Sequence, residues 1–140
     1  MLRSLYIILG FVLLLDYCYG QKKNERSISI SSVNFYTTTY RSISCDKFEP
    51  LLGAMITTNV VCAKDSIREL EDLLSHIKYS NNSHSIDARA KINFINESGE
   101  RVIICMNLSD VCVNGRLIEE YPVFMEFLRS LIPKKQLAVR

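Results

Sequence analysis

Five cysteines, two histidines and three N-x-S/T triplets are the residues of this 140-residue chain whose types and spacing could support chemistry. The cysteines are Cys18, Cys45, Cys62, Cys105 and Cys112, and the last four are 17, 43 and 7 residues apart. A structural zinc site needs closely paired thiolates or imidazoles, and these spacings contain no CxxC pair and no paired histidines. His76 stands beside Asp72 on a helix-like stretch, and His84 falls in a polar loop, so the two do not form a catalytic pair. No GxSxG, HExxH, phosphate-loop or dinucleotide fingerprint is present. The expectation is a protein with no catalytic residue, metal site or cofactor. Glu69, Glu71 and Asp72, or Glu119 and Glu120, read as solvated faces and helix-start charges.

What the cysteines do depends on the compartment. Residues 1–20 carry one basic residue, Arg3, then the apolar run LYIILGFVLLL and the sequence DYCYG. A run of about 11 apolar residues is too short to span a bilayer, which takes roughly 20, but it suits a secretory signal peptide cleaved after Gly20. Cleavage removes Cys18 and leaves four cysteines, an even number in an oxidising compartment, which predicts two disulfides. Four cysteines allow three connectivities, and spacing does not choose among them. Each bridge is expected to stabilise the fold by about 2 to 4 kcal/mol.

The triplets at Asn81, Asn96 and Asn107 are N-glycosylation sequons without proline in the middle position. Asn81 and Asn96 fall in polar, turn-like stretches, and Asn107 falls between two cysteines. Arg3 and Asp16 leave together with the leader, so the net charge stays at +2, a balance that points away from nucleic acid. Residues 21–140 are expected to form one secreted domain, with residues 21–27 as a flexible lead and no membrane insertion after cleavage.

The elements that must position these residues are legible from periodicity. Residues 27–44 are rich in β-branched and aromatic residues; Ile28 and Ile30 alternate with serines, and Val33 and Phe35 repeat the period one step out of phase. This predicts one bulged strand or two short ones, and the part of LLGAMITTNVVC from Ile56 to Val61 favours a strand. In SIRELEDLLSHIKY, Ser66 and Glu69 have the spacing of a capping box, and Ile67, Leu70, Leu73, Leu74 and Ile77 share one face; a helix over residues 66–78 is expected. Ala90, Ile92 and Phe94 alternate, Gly99 marks a loop, and residues 102–105 form a second apolar run, which together predict a β-hairpin. Asn114-Gly115 supplies a tight turn leading into a last helix, with Pro122 in its first turn and Val123, Phe124, Phe127, Leu128, Leu131 and Ile132 at helical spacing before Pro133. The expected fold is a small α+β disulfide-bonded domain, an antiparallel sheet with one internal helix and a C-terminal helix packed on it.

The order of a hairpin, then Cys112-Val113-Asn114-Gly115, then an amphipathic helix carrying Phe124, Phe127 and Leu128 resembles glycoprotein L of gammaherpesviruses. The likeness covers roughly the last third of the chain. That family carries an adjacent cysteine pair near the mature amino terminus, where this chain has only Cys45. The disulfide pattern taken with the resemblance is Cys45 to Cys112, leaving Cys62 to Cys105. The resemblance implies a non-enzymatic subunit that binds membrane-anchored glycoprotein H, assists its folding and transport, and is held at the virion envelope or cell surface through that partner. The strand region from Ile28 to Tyr40, bearing Ile28, Ile30, Val33 and Phe35, has two expected roles: a partner-binding strand that adds to a sheet edge of the partner, or completion of the protein's own sheet.

A sheet ending in a cysteine before a C-terminal helix is also similar to the chemokine layout, which implies a secreted ligand for a host cell-surface receptor. Chemokines carry two closely spaced cysteines near the amino terminus and a third just before the middle strand, and SHSIDARAKINF has none there. Lys22, Lys23, Lys134 and Lys135 read as solubilising ends that could touch glycosaminoglycans.

Overall fold

The fold is seen in a computed structural model that describes residues 26–139. The expected leader and the start of the polar lead lie outside the described residues. Six strands form one antiparallel sheet: β1 (Ile28–Ser32), β2 (Thr57–Val61), β3 (Ala90–Ile95), β4 (Arg101–Met106), β5 (Val111–Val113) and β6 (Arg116–Leu117). Their spatial order is β2-β1-β3-β4-β5-β6. The helices are α1 (Phe48–Leu52), α2 (Lys64–Ser75), α3 (Pro122–Ser130) and α4 (Lys134–Leu137), and short 3-10 turns at Cys45–Lys47 and Gly53–Met55 flank α1. The chain is thus a small α+β domain with an internal helix and a C-terminal helix on an antiparallel sheet.

Strand alternation divides the core in two, because successive side chains leave a strand on opposite faces. On one face Ile28 and Ile30 of β1, Ile92 and Phe94 of β3, and Ile104 and Met106 of β4 pack under Ile67 and Leu70 of α2 and Phe124 and Leu128 of α3. On the other face Cys105 and Leu117 meet Phe48 and Leu52, carried by the strap formed by residues 43–56. β4 is therefore buried from both sides, with Ile104, Cys105 and Met106 all at 0% exposure.

The strap is pinned by polar contacts as well. Asp87 accepts the Ile43 N–H through Oδ1 at 2.8 Å and pairs through Oδ2 with Arg89 at 2.6 Å, while Arg89 also donates to Thr39 Oγ1 at 3.2 Å. Arg89 is buried, so this pairing supplies the hydrogen bonds that a desolvated guanidinium needs. Lys91, on the strap side of β3, reaches Glu49 of α1 at 2.8 Å.

Several sequence expectations are corrected here. The strand predicted over residues 27–44 stops at Ser32, and Val33 and Phe35 stay buried without continuing the ladder. Phe35 N–H instead donates to the Gln136 carbonyl at 2.8 Å, tying this segment to the chain end. The internal helix starts two residues before Ser66, with Ala63 as its N-cap and no side-chain cap hydrogen bond. Ser66 and Glu69 therefore lie inside the helix, where a capping box cannot act. Asn114-Gly115 does not lead straight into the last helix; it is the tip of the β5-β6 hairpin, and α3 begins only at Pro122. Asn114 and Gly115 both have positive φ, 49° and 79°, as a two-residue hairpin turn with the twist of its strands requires. Of the α3 residues, Phe124 and Leu128 face the core, whereas Val123 is 60% exposed.

This division sets a stability test. Phe124→Ala should cost about 3 to 5 kcal/mol, and Val123→Ala should stay within about 0.5 kcal/mol of wild type, read from urea unfolding.

Candidate functional site

The cysteines come together where the strap crosses the sheet. Burial of Phe48 and Leu52 lays the strap over β4, and Cys45 at its start bonds to Cys105 with the Cα atoms 5.8 Å apart. The bond closes a sequence separation of 60 residues, which a chain-entropy estimate values at about 4 kcal/mol.

The expected Cys45–Cys112 and Cys62–Cys105 pairing is therefore incorrect. Cys62 directly follows β2, three strands from β4 in the sheet order. At about 4.8 Å per strand the gap is roughly 14 Å, beyond the roughly 7 Å limit between bridged Cα atoms. Cys112, by contrast, sits on β5 directly opposite Cys105 in register, and packs in the same apolar cluster as Cys45 and Cys105. Sequence spacing does not separate two cysteines on adjacent strands as partners for a third. The signal that places them side by side was the tight turn at Leu108-Ser109, where Asn107 N–H donates to the Asp110 carbonyl at 3.1 Å.

Cys112 is a half-buried thiol in this arrangement. With Cys45 it lines a surface pocket of about 480 Å³ whose rim includes Ser44, Asp46, His84 and Arg116. Burial pushes the Cys112 thiol above its ordinary pKa, opposed by a backbone hydrogen bond from Gly115. The Ser44 hydroxyl, with the backbone of Asp46 itself, holds the Asp46 carboxyl below the usual range. Arg116 lies over the Tyr79 ring at 3.9 Å, which ties the segment after α2 to β6.

The CVNG step proves to be a construction element. Asn114 N–H donates to the Ile103 carbonyl at 2.8 Å, and its Oδ1 accepts the Ile103 N–H at 2.8 Å. The Asn114 side chain thus replaces a ladder acceptor just where β5 ends, a role that few side chains other than Asn combine with positive φ.

The sequons differ in surroundings. Asn81 is exposed. Asn96 holds the β3-β4 loop, its Oδ1 accepting the Glu100 N–H at 2.8 Å and its Nδ2 donating to Glu100 Oε2 at 3.2 Å. Asn107 shapes the β4-β5 turn, its Oδ1 accepting the N–H of Asp110 at 2.7 Å and of Ser109 at 2.9 Å.

Of the two expected roles for the Ile28 strand region, completion of the protein's own sheet is the one β1 fills, and the partner-binding role does not fit it. β1 pairs with β2 on one side and β3 on the other, so it has no edge to offer, and Ile28, Ile30, Val33 and Phe35 are all buried. The two ends of the sheet are unequal. β6 is covered by the segment after α2, through a Tyr79-Ile118 bridge, Ser80 N–H to the Leu117 carbonyl at 2.9 Å and Glu119 N–H to the Lys78 carbonyl at 2.8 Å. β2, among the described residues, has a strand on one side only.

The phase of β2 follows from one hydrogen bond. Val33 N–H donates to the Arg89 carbonyl at 3.0 Å, so odd residues of β1 face β3 and even residues face β2. Thr57, Asn59 and Val61 then bond to β1, and the backbone groups of Thr58 and Val60 point outward. The strand reads TTNVV, with no charge, proline or glycine, and Val60 is 54% exposed. Edge strands are commonly blunted by lysine, proline or a bulge, and this one is not. The sequence marks this stretch as a strand through its β-branched residues, but its place at the sheet edge depends on strand order.

Among the described residues no three His, Cys, Asp or Glu side chains group as metal ligands, and no helix is long and apolar enough to cross a membrane. No protein-family model, curated protein or solved structure matches the chain.

Two outcomes are expected at these residues. Alkylation of Cys112 by iodoacetamide should be slower at neutral pH than that of an unstructured cysteine peptide, because the raised pKa leaves less thiolate, and should climb about tenfold per pH unit below that pKa; mass spectrometry of timed samples reads both. Asn107→Ala should lower stability by about 1 to 2 kcal/mol through the lost turn hydrogen bonds, whereas Asn81→Ala should change it by less than about 0.5 kcal/mol in thermal unfolding.

Proposed function

We propose that this chain is a non-enzymatic, secreted glycoprotein subunit that binds a membrane-anchored partner, glycoprotein H, and supports its folding, transport and role in virus entry. The observation that carries the binding part is the uncharged β2, which among the described residues pairs with a strand on one side only, so that its outward Thr58 and Val60 backbone groups can accept a partner strand. Main-chain hydrogen bonds along such an edge supply affinity, and the exposed Val60 side chain supplies an apolar contact. The partner's identity rests on the resemblance of Cys112 to Gly115 and the following helix to glycoprotein L. The leader and the three sequons support the secretory route, which also suits the Cys45–Cys105 bridge.

The test is expression of the tagged chain in mammalian cells, alone and with glycoprotein H, comparing surface retention and co-purifying proteins. The expected result is retention at the surface only with the partner, in a stoichiometric complex. Val60→Pro removes an outward N–H that the protein's own ladder does not use, so secretion and circular dichroism should be preserved while co-purification falls at least about tenfold, the worth of roughly 1.4 kcal/mol. Secretion as a free folded monomer indifferent to glycoprotein H would overturn the reading and favour a soluble, chemokine-like or cytokine-like ligand of a host receptor.

A further inference from the structure

Three cysteines share one apolar cluster between the strap and the sheet, yet one disulfide joins only two of them. Cys105 and Cys112 face each other across β4 and β5, and Cys45 reaches the pair from the strap. The hydrogen bonds on either side, Asn107 N–H to Asp110 O and Asn114 N–H to Ile103 O, make Cys105 and Cys112 a hydrogen-bonded cross-strand pair. Cβ atoms in cross-strand pairs lie about 4.5 to 5.5 Å apart, at or beyond the upper end of the roughly 3.5 to 4.5 Å that a disulfide uses. The two strand cysteines are therefore held near each other and poorly placed to bond together. Cys45, on a short turn outside the ladder, shares the apolar cluster with both and lines one pocket with Cys112.

We infer that Cys45, Cys105 and Cys112 form a thiol–disulfide exchange site in which the strap cysteine alternates between the two strand cysteines. Cys112 first gives its proton to solvent through the pocket it shares with Cys45. Its thiolate attacks Cys45 Sγ; the Cys45–Cys112 bond forms, the Cys45–Cys105 bond breaks, and the departing electron pair stays on Cys105 sulfur, which takes up a proton. One disulfide and one thiol are present before and after, so no oxidant or reductant is consumed. The two states differ in burial. Cys105 is 0% exposed and Cys112 half-buried, so exchange moves the strap anchor from the floor of the cluster to its solvent side. The Cys45–Cys105 form keeps the apolar packing of the strap and is the resting one.

The experiment uses the full secreted chain, incubated at a pH of about 8.5, where ordinary thiols ionise, then blocked with N-ethylmaleimide in acid. Digestion at aspartates separates Cys105 from Cys112, because Asp110 lies between them, and non-reducing mass spectrometry identifies the linked peptides. The expected result is a Cys45–Cys112 peptide beside the Cys45–Cys105 peptide, and only the latter from Cys112→Ser. In Cys105→Ala, secreted through the oxidising pathway whose disulfide oxidants take up the two electrons, Cys45 and Cys112 should be joined and both unreactive to maleimide. Wild-type protein that yields only Cys45–Cys105, with Cys112 fully alkylated, would overturn the site, as would a folded Cys105→Ala with both remaining thiols alkylated. If Cys105→Ala fails to fold, the wild-type digest decides alone.

Discussion

Double burial of β4 is the constraint on which the rest of the structure depends. The end of β4, with Ile104 and Met106 on one face and Cys105 on the other, has no solvent-facing side, so both faces must be covered there. α2 and α3 cover one. The other is closed by the strap, which the Cys45–Cys105 bond and the Asp87-Arg89 pairing fasten in addition to its apolar contacts. The site of the disulfide follows from this need: it lies where an irregular segment must be held against the centre of a sheet.

The same geometry accounts for the uneven surface. The segment after α2 returns beside β6 and consumes that edge, partly through Arg116 over Tyr79. Beyond the strap, β1 and β2 present serines, threonines and Val60 in place of a second apolar layer. An edge strand that is uncharged and, among the described residues, paired on one side only has backbone groups that a partner strand could bond without desolvating a charged side chain, the chemistry of partner recognition by strand addition. The cysteine cluster lies three strands away. The proposed binding edge and the proposed exchange site are thus spatially separate.

Legibility from sequence tracked how local each determinant is. The β3-β4 hairpin reads directly, because its alternation and Gly99 loop are contained in one short stretch. The amphipathic faces of α2 and α3 read nearly as well, since Ile67, Leu70, Phe124 and Leu128 recur at helical spacing. Helix starts read less well. Ser66 and Glu69 matched the pattern of a capping box, but the helix begins two residues earlier, at Lys64, without a side-chain cap. β5 and β6 are three and two residues long, too short to carry a period, and exist only because β4 is there to pair with them.

The sequence by itself determined the α+β class, the core faces of both long helices and the Asn114-Gly115 turn, because each depends on residues within a turn or two of one another. Only the tertiary structure decided that Cys45 meets Cys105, that β1 lies inside the sheet and that β2 ends it. Those outcomes depend on strand order, and strand order is set by which apolar faces can be buried together, a comparison among distant segments that no local spacing records. Cys105 and Cys112 are equivalent as letters in a sequence; the depth at which each sits beneath the strap separates them.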